Sequence, residues 1–162
     1  MTFGLLTDIF DGIIARQLNI SNEKLRRLDS QTDLIFWLSI GFSAWHLKSG
    51  ILENYTVSIS VIFIMEILCY VISIYKFGRE TCTHAYLSKL FGLSMFVAFF
   101  NLIAFNQGGI VLFSAVLIGL ISHIDRILIT LILNQWTYDV PSFYHAILIR
   151  QGKKIKKFKL FN

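Results

Sequence analysis

Apolar residues fall along this chain in long unbroken runs. Four runs, at about 28–47, 55–75, 86–105 and 109–133, each reach the ~20 residues that a helix needs to cross a bilayer. The first is polar in its opening turn and a half ("LDSQTD"). Strands would leave open sheet edges in lipid, so each run is predicted to be helical. Residues 2–19 also read as a helix, but only seven residues precede Asp8, too few to cross a membrane before it. The pattern predicts an all-α, polytopic transmembrane helix bundle, with four full spans after a short N-terminal helix.

Composition agrees and excludes a soluble globular domain. Only 15% of the 162 residues are charged and mean hydropathy is +0.63, where soluble domains carry about 25% charge. No secretory leader is expected, because Asp8 and Asp11 follow Met1 with no basic segment. Cys69 and Cys82 lack metal-ligand spacing and read as buried thiols. The net charge of +5 is a property of the tail, since 150–162 ("RQGKKIKKFKLFN") holds six of the fifteen basic residues and no acid. Such a tail suits anionic lipid at about 1 kcal/mol per basic residue. Basic residues also gather in 16–27 and 76–89, whereas 46–54 has only Lys48 and 106–109 is "NQGG". The positive-inside rule therefore predicts that 8–33, the 76–89 loop and the tail are cytoplasmic. With no repeat and no linker, one membrane domain over 1–149 and a basic tail over 150–162 are expected.

The candidate chemistry lies in "TDIFDGIIARQLNISNEKLRRLDSQTD", which places four aspartates in a greasy chain. Asp8 and Asp11 are three apart on one helix, followed on the same side by Gly12, Ala15 and Arg16; Asp29 and Asp33 are four apart at the start of the next. A short connection makes the two helices antiparallel neighbours, so both pairs can face each other at one depth. Four confined carboxylates repel, and two Mg²⁺ or Mn²⁺ ions would balance them with the oxygen ligands such ions prefer. Paired ions suit phosphoryl displacement, small residues let a ligand approach the backbone, and Arg16 is a planar phosphate donor.

These residues resemble the signature of the CDP-alcohol phosphatidyltransferases, Asp-x2-Asp-Gly-x2-Ala-Arg-x8-Gly-x3-Asp-x3-Asp. Here Asp8, Asp11, Gly12, Ala15, Arg16, Asp29 and Asp33 match seven of eight positions, and Leu25 stands where the family has its second glycine. The resemblance implies a membrane helix bundle of that type, usually a homodimer. It implies transfer of a phosphatidyl or related phospho-alcohol group from a CDP-alcohol, CDP-diacylglycerol foremost, to a second alcohol, with release of CMP. It further implies that Asp8, Asp11, Asp29 and Asp33 hold two Mg²⁺ or Mn²⁺ ions, that Asp33 is also the general base, and that Gly12, Ala15 and Arg16 meet the CDP moiety. Family members have about one and a half spans before the first aspartate. The seven residues here are expected to mark a fragment, a wrongly placed start or a degenerate copy.

Three further basic residues are candidates for an acceptor's phosphate: Arg79 and Lys89 in the second basic loop, and Arg126 inside the last run. Glu66, near mid-span, reads as a packing contact. Val140-Pro141 should break the last helix, and Ser142 should cap a short surface helix carrying His145. Two other classes fit the same residues. One is a non-catalytic paralogue that keeps metal and CDP binding. The other is a cation carrier, which would need a route across the membrane that four aspartates at one face do not offer.

Overall fold

The computed structural model describes residues 23–81, 83 and 85–153, and among these there is no strand. Five α-helices follow one another: α1 (Glu23–Leu52), α2 (Thr56–Phe77), α3 (Tyr86–Phe105), α4 (Gly109–Ile132) and the short α5 (Phe143–Arg150). The predicted 86–105 run coincides with α3, and the 55–75 and 109–133 runs match α2 and α4 to within two residues. Helix α1 extends beyond its apolar run at both ends. The helix predicted over 2–19 lies outside the described residues.

The expected count of four separate spans needs correction. Among the described residues, three helical stretches are long and apolar enough to cross a membrane: Arg27–Phe77, Tyr86–Phe105 and Gly109–Ile132. The first fuses two predicted spans, because a 3-10 turn, Glu53–Tyr55, joins α1 to α2 without coil. Its 51 residues would measure roughly 75 Å if straight, more than twice the ~30 Å hydrocarbon core. They fold back instead. Lys48 leaves helical geometry (φ −138°, ψ 34°), and Arg27 at the start of α1 meets Glu80, just beyond the end of α2, at 2.6 Å. The starts of α1 and α3 and the ends of α2 and α4 thus share one end of the bundle, here the motif end.

Helix packing relies on small residues, as expected where lipid offers no hydrophobic incentive for association. Ala44, Ala98 and Ala115 are buried with Phe99, Leu102 and Leu112 in the half away from the motif end. Gly119 lets α2, α3 and α4 approach closely, since a Cβ there would fall 2.6 Å from Phe91 Cε2 and 2.8 Å from Ile62 Cδ1. A second cluster, Ala85, Ile129, Leu133, Val140 and Ala146, closes the motif end. Val57, Ile64, Ile67, Val71 and Ile74 stay exposed along α2 at near-helical spacing, forming a stripe suited to lipid.

Polar ties set the register between helices. Glu66 on α2 accepts two hydrogen bonds from Arg126 on α4, at 2.6 and 3.1 Å. His123 Nε2 lies 3.0 Å from the same carboxylate. Lys76 Nζ donates to the carbonyls of Thr130 (3.0 Å) and Leu131 (2.6 Å), placing a cation on the carbonyl end of α4 where the helix dipole favours it. The Cys69 thiol is buried and lies 3.6 Å from the His123 carbonyl, as expected for a packing thiol.

Val140-Pro141 lies in the coil between α4 and α5, as expected of a helix breaker. The cap of α5 differs from expectation. Ser142 makes no side-chain capping bond; its hydroxyl pairs with His145 Nδ1 at 2.9 Å. The Phe143 N–H donates instead to Asp125 Oδ1 of α4 at 3.0 Å. A buried carboxylate from a neighbouring helix thus satisfies the first turn, a better dipole match than a neutral hydroxyl.

Candidate active site

Asp29 and Asp33 occupy the second and third turns of α1 and are both half-buried. At 100° per residue they share a face with Trp37, Ile40 and Ala44. This face is the one that packs on α3. The Trp37 ring stacks on Phe99 with centroids 6.4 Å apart, and Ala44 is fully buried beside Ala98 and Phe99. The two carboxylates are therefore the polar head of the α1–α3 seam. The apolar residues below them fix the rotation of the helix, and i,i+4 spacing brings both acids to one side.

The register of the seam locates Lys89. Gly92 on α3 faces the Trp37 ring, with a Cβ built there 4.0 Å from Trp37 Cζ2. Both helices run away from the motif end. Asp33 is four residues before Trp37 and Lys89 three before Gly92, so each stands about one turn, some 5 Å, nearer that end. Lys89 is exposed at the level of Asp33.

Arg79 sits on the loop between α2 and α3. Gly78 opens that loop in the left-handed conformation (φ 66°), where a side chain would be strained, and its N–H returns to the Ile74 carbonyl. The Arg79 carbonyl accepts from Ser73 at 2.9 Å, and its guanidinium lies 5.2 Å over the Trp136 ring. Glu80, next in the loop, binds Arg27 at 2.6 and 3.0 Å and Gln31 at 3.3 Å. The Arg27 guanidinium holds the Glu80 carboxyl below its ordinary value. Arg126 is set deeper, with its guanidinium on Glu66. Sequence reasoning missed Arg27, Gln31 and Glu80 as organising residues. Their partners lie 49 to 53 positions away, and no local pattern marks such pairs.

Asp8, Asp11, Gly12, Ala15 and Arg16 lie outside the described residues, as do the side chain of Leu25 and residues 154–162. Among the described residues no three His, Cys, Asp or Glu side chains gather to hold a metal. Asp29 and Asp33 nonetheless fit a hard divalent cation in donor chemistry: they are oxygen ligands, adjacent on one face and only partly solvated. They form half of the four-carboxylate set that the sequence predicts.

An all-helical bundle with three membrane-length apolar stretches among the described residues defines an integral membrane protein. The family model for CDP-alcohol phosphatidyltransferase matches residues 1–137. The chain belongs to this family of phospholipid-synthesis transferases, which use a CDP-alcohol and an alcohol acceptor in a membrane setting and generally need Mg²⁺ or Mn²⁺. No curated protein and no solved structure matches it.

Proposed function

We propose that this protein transfers a phosphatidyl group from a CDP-alcohol, CDP-diacylglycerol foremost, to the hydroxyl of a second alcohol. The observation that carries the reading is the placement of Asp29 and Asp33, two matched motif positions, together at the head of the α1–α3 seam. Asp8, Asp11, Asp29 and Asp33 would hold two Mg²⁺ or Mn²⁺ ions, which when bound neutralise the diphosphate and orient it for in-line displacement. Gly12 and Ala15 give the CDP moiety room at the backbone, and Arg16 donates to it. Asp33 takes the proton from the acceptor hydroxyl as its oxygen bonds to the β-phosphorus. The bond from that phosphorus to CMP breaks and CMP leaves.

Lys89, at the level of Asp33, is the leading contact for an anionic group on the acceptor, with Arg79 beside it. Arg126 completes the set, but a phosphate would have to share its guanidinium with Glu66. The motif end and the basic 150–162 tail are assigned to the cytoplasmic face by their positive charge. The 1–149 segment is taken as one membrane domain that pairs as a homodimer. The test is CMP release from CDP-diacylglycerol by purified protein with Mg²⁺ or Mn²⁺ and a panel of alcohols. Asp33→Asn is expected to lower it at least ~100-fold. CMP release undiminished in that variant refutes the mechanism. Metal and CDP binding without turnover in the unmodified protein would identify the non-catalytic paralogue.

A further inference from the structure

We infer that Arg27 and Glu80 form a positioning pair that sets the rotation of α1, and with it the direction in which Asp29 and Asp33 point. The inference rests on the site assignment just made and adds residues outside its signature. The first turns of α1 are mostly polar, and Leu28 within them is 60% exposed and does not seat them. What seats them is Glu80. Its carboxylate takes two N–H donors from Arg27 and a third from Gln31, one turn further along the same face.

Glu80 is itself fixed. Its carbonyl accepts from Trp136 Nε1 at 2.9 Å, and the neighbouring Arg79 carbonyl accepts from Ser73 Oγ on α2. The Glu80 side chain is mostly buried, with 14% exposed. The clamp therefore refers α1 to the end of α2 and to the segment after α4. On the helix, Asp33 and Asp29 stand about 120° and 160° around from Arg27. The clamp grips the back of α1 while the carboxylates face α3. A grip on one face and a seam on the other leave the helix start a single orientation. Without the grip, the two acids would sample a wider arc.

The test separates this pair from the reaction. Asp33→Cys with Lys89→Cys gives a cross-linkable pair across the α1–α3 seam, bridged by a short bifunctional maleimide in the full-length protein. Glu80→Ala is expected to slow that cross-link about five-fold or more, the effect of losing one modest polar tie, whereas Glu53→Ala in the far 3-10 turn leaves it unchanged. In the protein without added cysteines, Glu80→Ala is expected to weaken Mn²⁺ binding, read by electron paramagnetic resonance, by a similar factor. The exchange Arg27→Glu/Glu80→Arg is expected to recover both. Glu80→Gln, which keeps the shape but sets an amide against the guanidinium, substitutes if the alanine variant does not fold. A cross-link rate in the Glu80 variant equal to that of the Glu53 control overturns the inference, as does slowed cross-linking with unchanged Mn²⁺ affinity. Unmodified protein that binds no Mn²⁺ overturns the site assignment instead, and the cross-link alone then decides the clamp.

Discussion

Removing Glu66 tests the interior of the bundle most directly. The Arg126 side chain is only 13% exposed and its guanidinium directs two hydrogen bonds at the Glu66 carboxylate. Glu66→Ala leaves that cation with no acid to answer it. Stripping one partner from a buried ion pair costs about 3–5 kcal/mol in soluble proteins. Two membrane effects reduce this. Polar ties between membrane helices average only about 0.6 kcal/mol because the separated helices find other partners. Arg126 also lies six residues before the end of α4, roughly 9 Å, a distance a long side chain can partly snorkel. A loss of about 2–3 kcal/mol is therefore expected for Glu66→Ala. Arg126→Met should cost less, about 1–2 kcal/mol, because a stranded carboxyl can take up a proton whereas a guanidinium cannot lose one. Glu66→Met with Arg126→Met removes both charges at similar volume and should cost under about 1 kcal/mol. Reversible unfolding in mixed micelles measures all three. Additive single-variant costs, or a Glu66→Ala cost below about 0.5 kcal/mol, would refute the argument that the pair is satisfied as a unit.

Three further outcomes are expected. Gly119→Ala sets a methyl 2.6 Å from the Phe91 ring and 2.8 Å from Ile62, so the same unfolding assay should show a loss of about 1–3 kcal/mol, and none would mean that α3 yields freely. Asp125→Ala removes the cap of α5; limited proteolysis should cut 138–153 faster, with a stability loss of about 1 kcal/mol, while Ser142→Ala should leave the cleavage rate near that of the unmodified protein. Because the Glu80 carboxyl is depressed in the folded protein by Arg27, its contribution is present above its ordinary value of 4.5 and is lost as pH falls below it. Measured relative to the same pair carrying Glu80→Gln at each pH, which cancels the thiol's own pH dependence, the cross-link across the seam should slow over that acid range.

Where helices form was legible in the sequence because it is a local property. Twenty apolar residues in a row require a helix in lipid wherever their neighbours lie, and α3 coincides with the run read for it. The aspartate motif was legible for the same reason, since i,i+4 spacing puts Asp29 and Asp33 on one face of any helix. The boundary of α1 was not, because its polar first turns are held by Glu80 rather than by apolarity. The junction of α1 and α2 was obscured by a chain that turns back through a 3-10 turn without a coil.

Pairing was decided only by tertiary structure. Glu66 and Arg126 are separated by 60 positions and Arg27 and Glu80 by 53, and the bond of each depends on a helix rotation set elsewhere by Trp37, Ala44 and Gly119. The sequence by itself determined the helices, the family and the shared helix face of Asp29 and Asp33. It could not determine that Asp33 faces α3 at the level of Lys89, or that Arg126 is bound to an acid of its own. The physical reason is that residue type and spacing act along one chain segment. Direction and partnership arise only when the small residues of the seams let the helices meet.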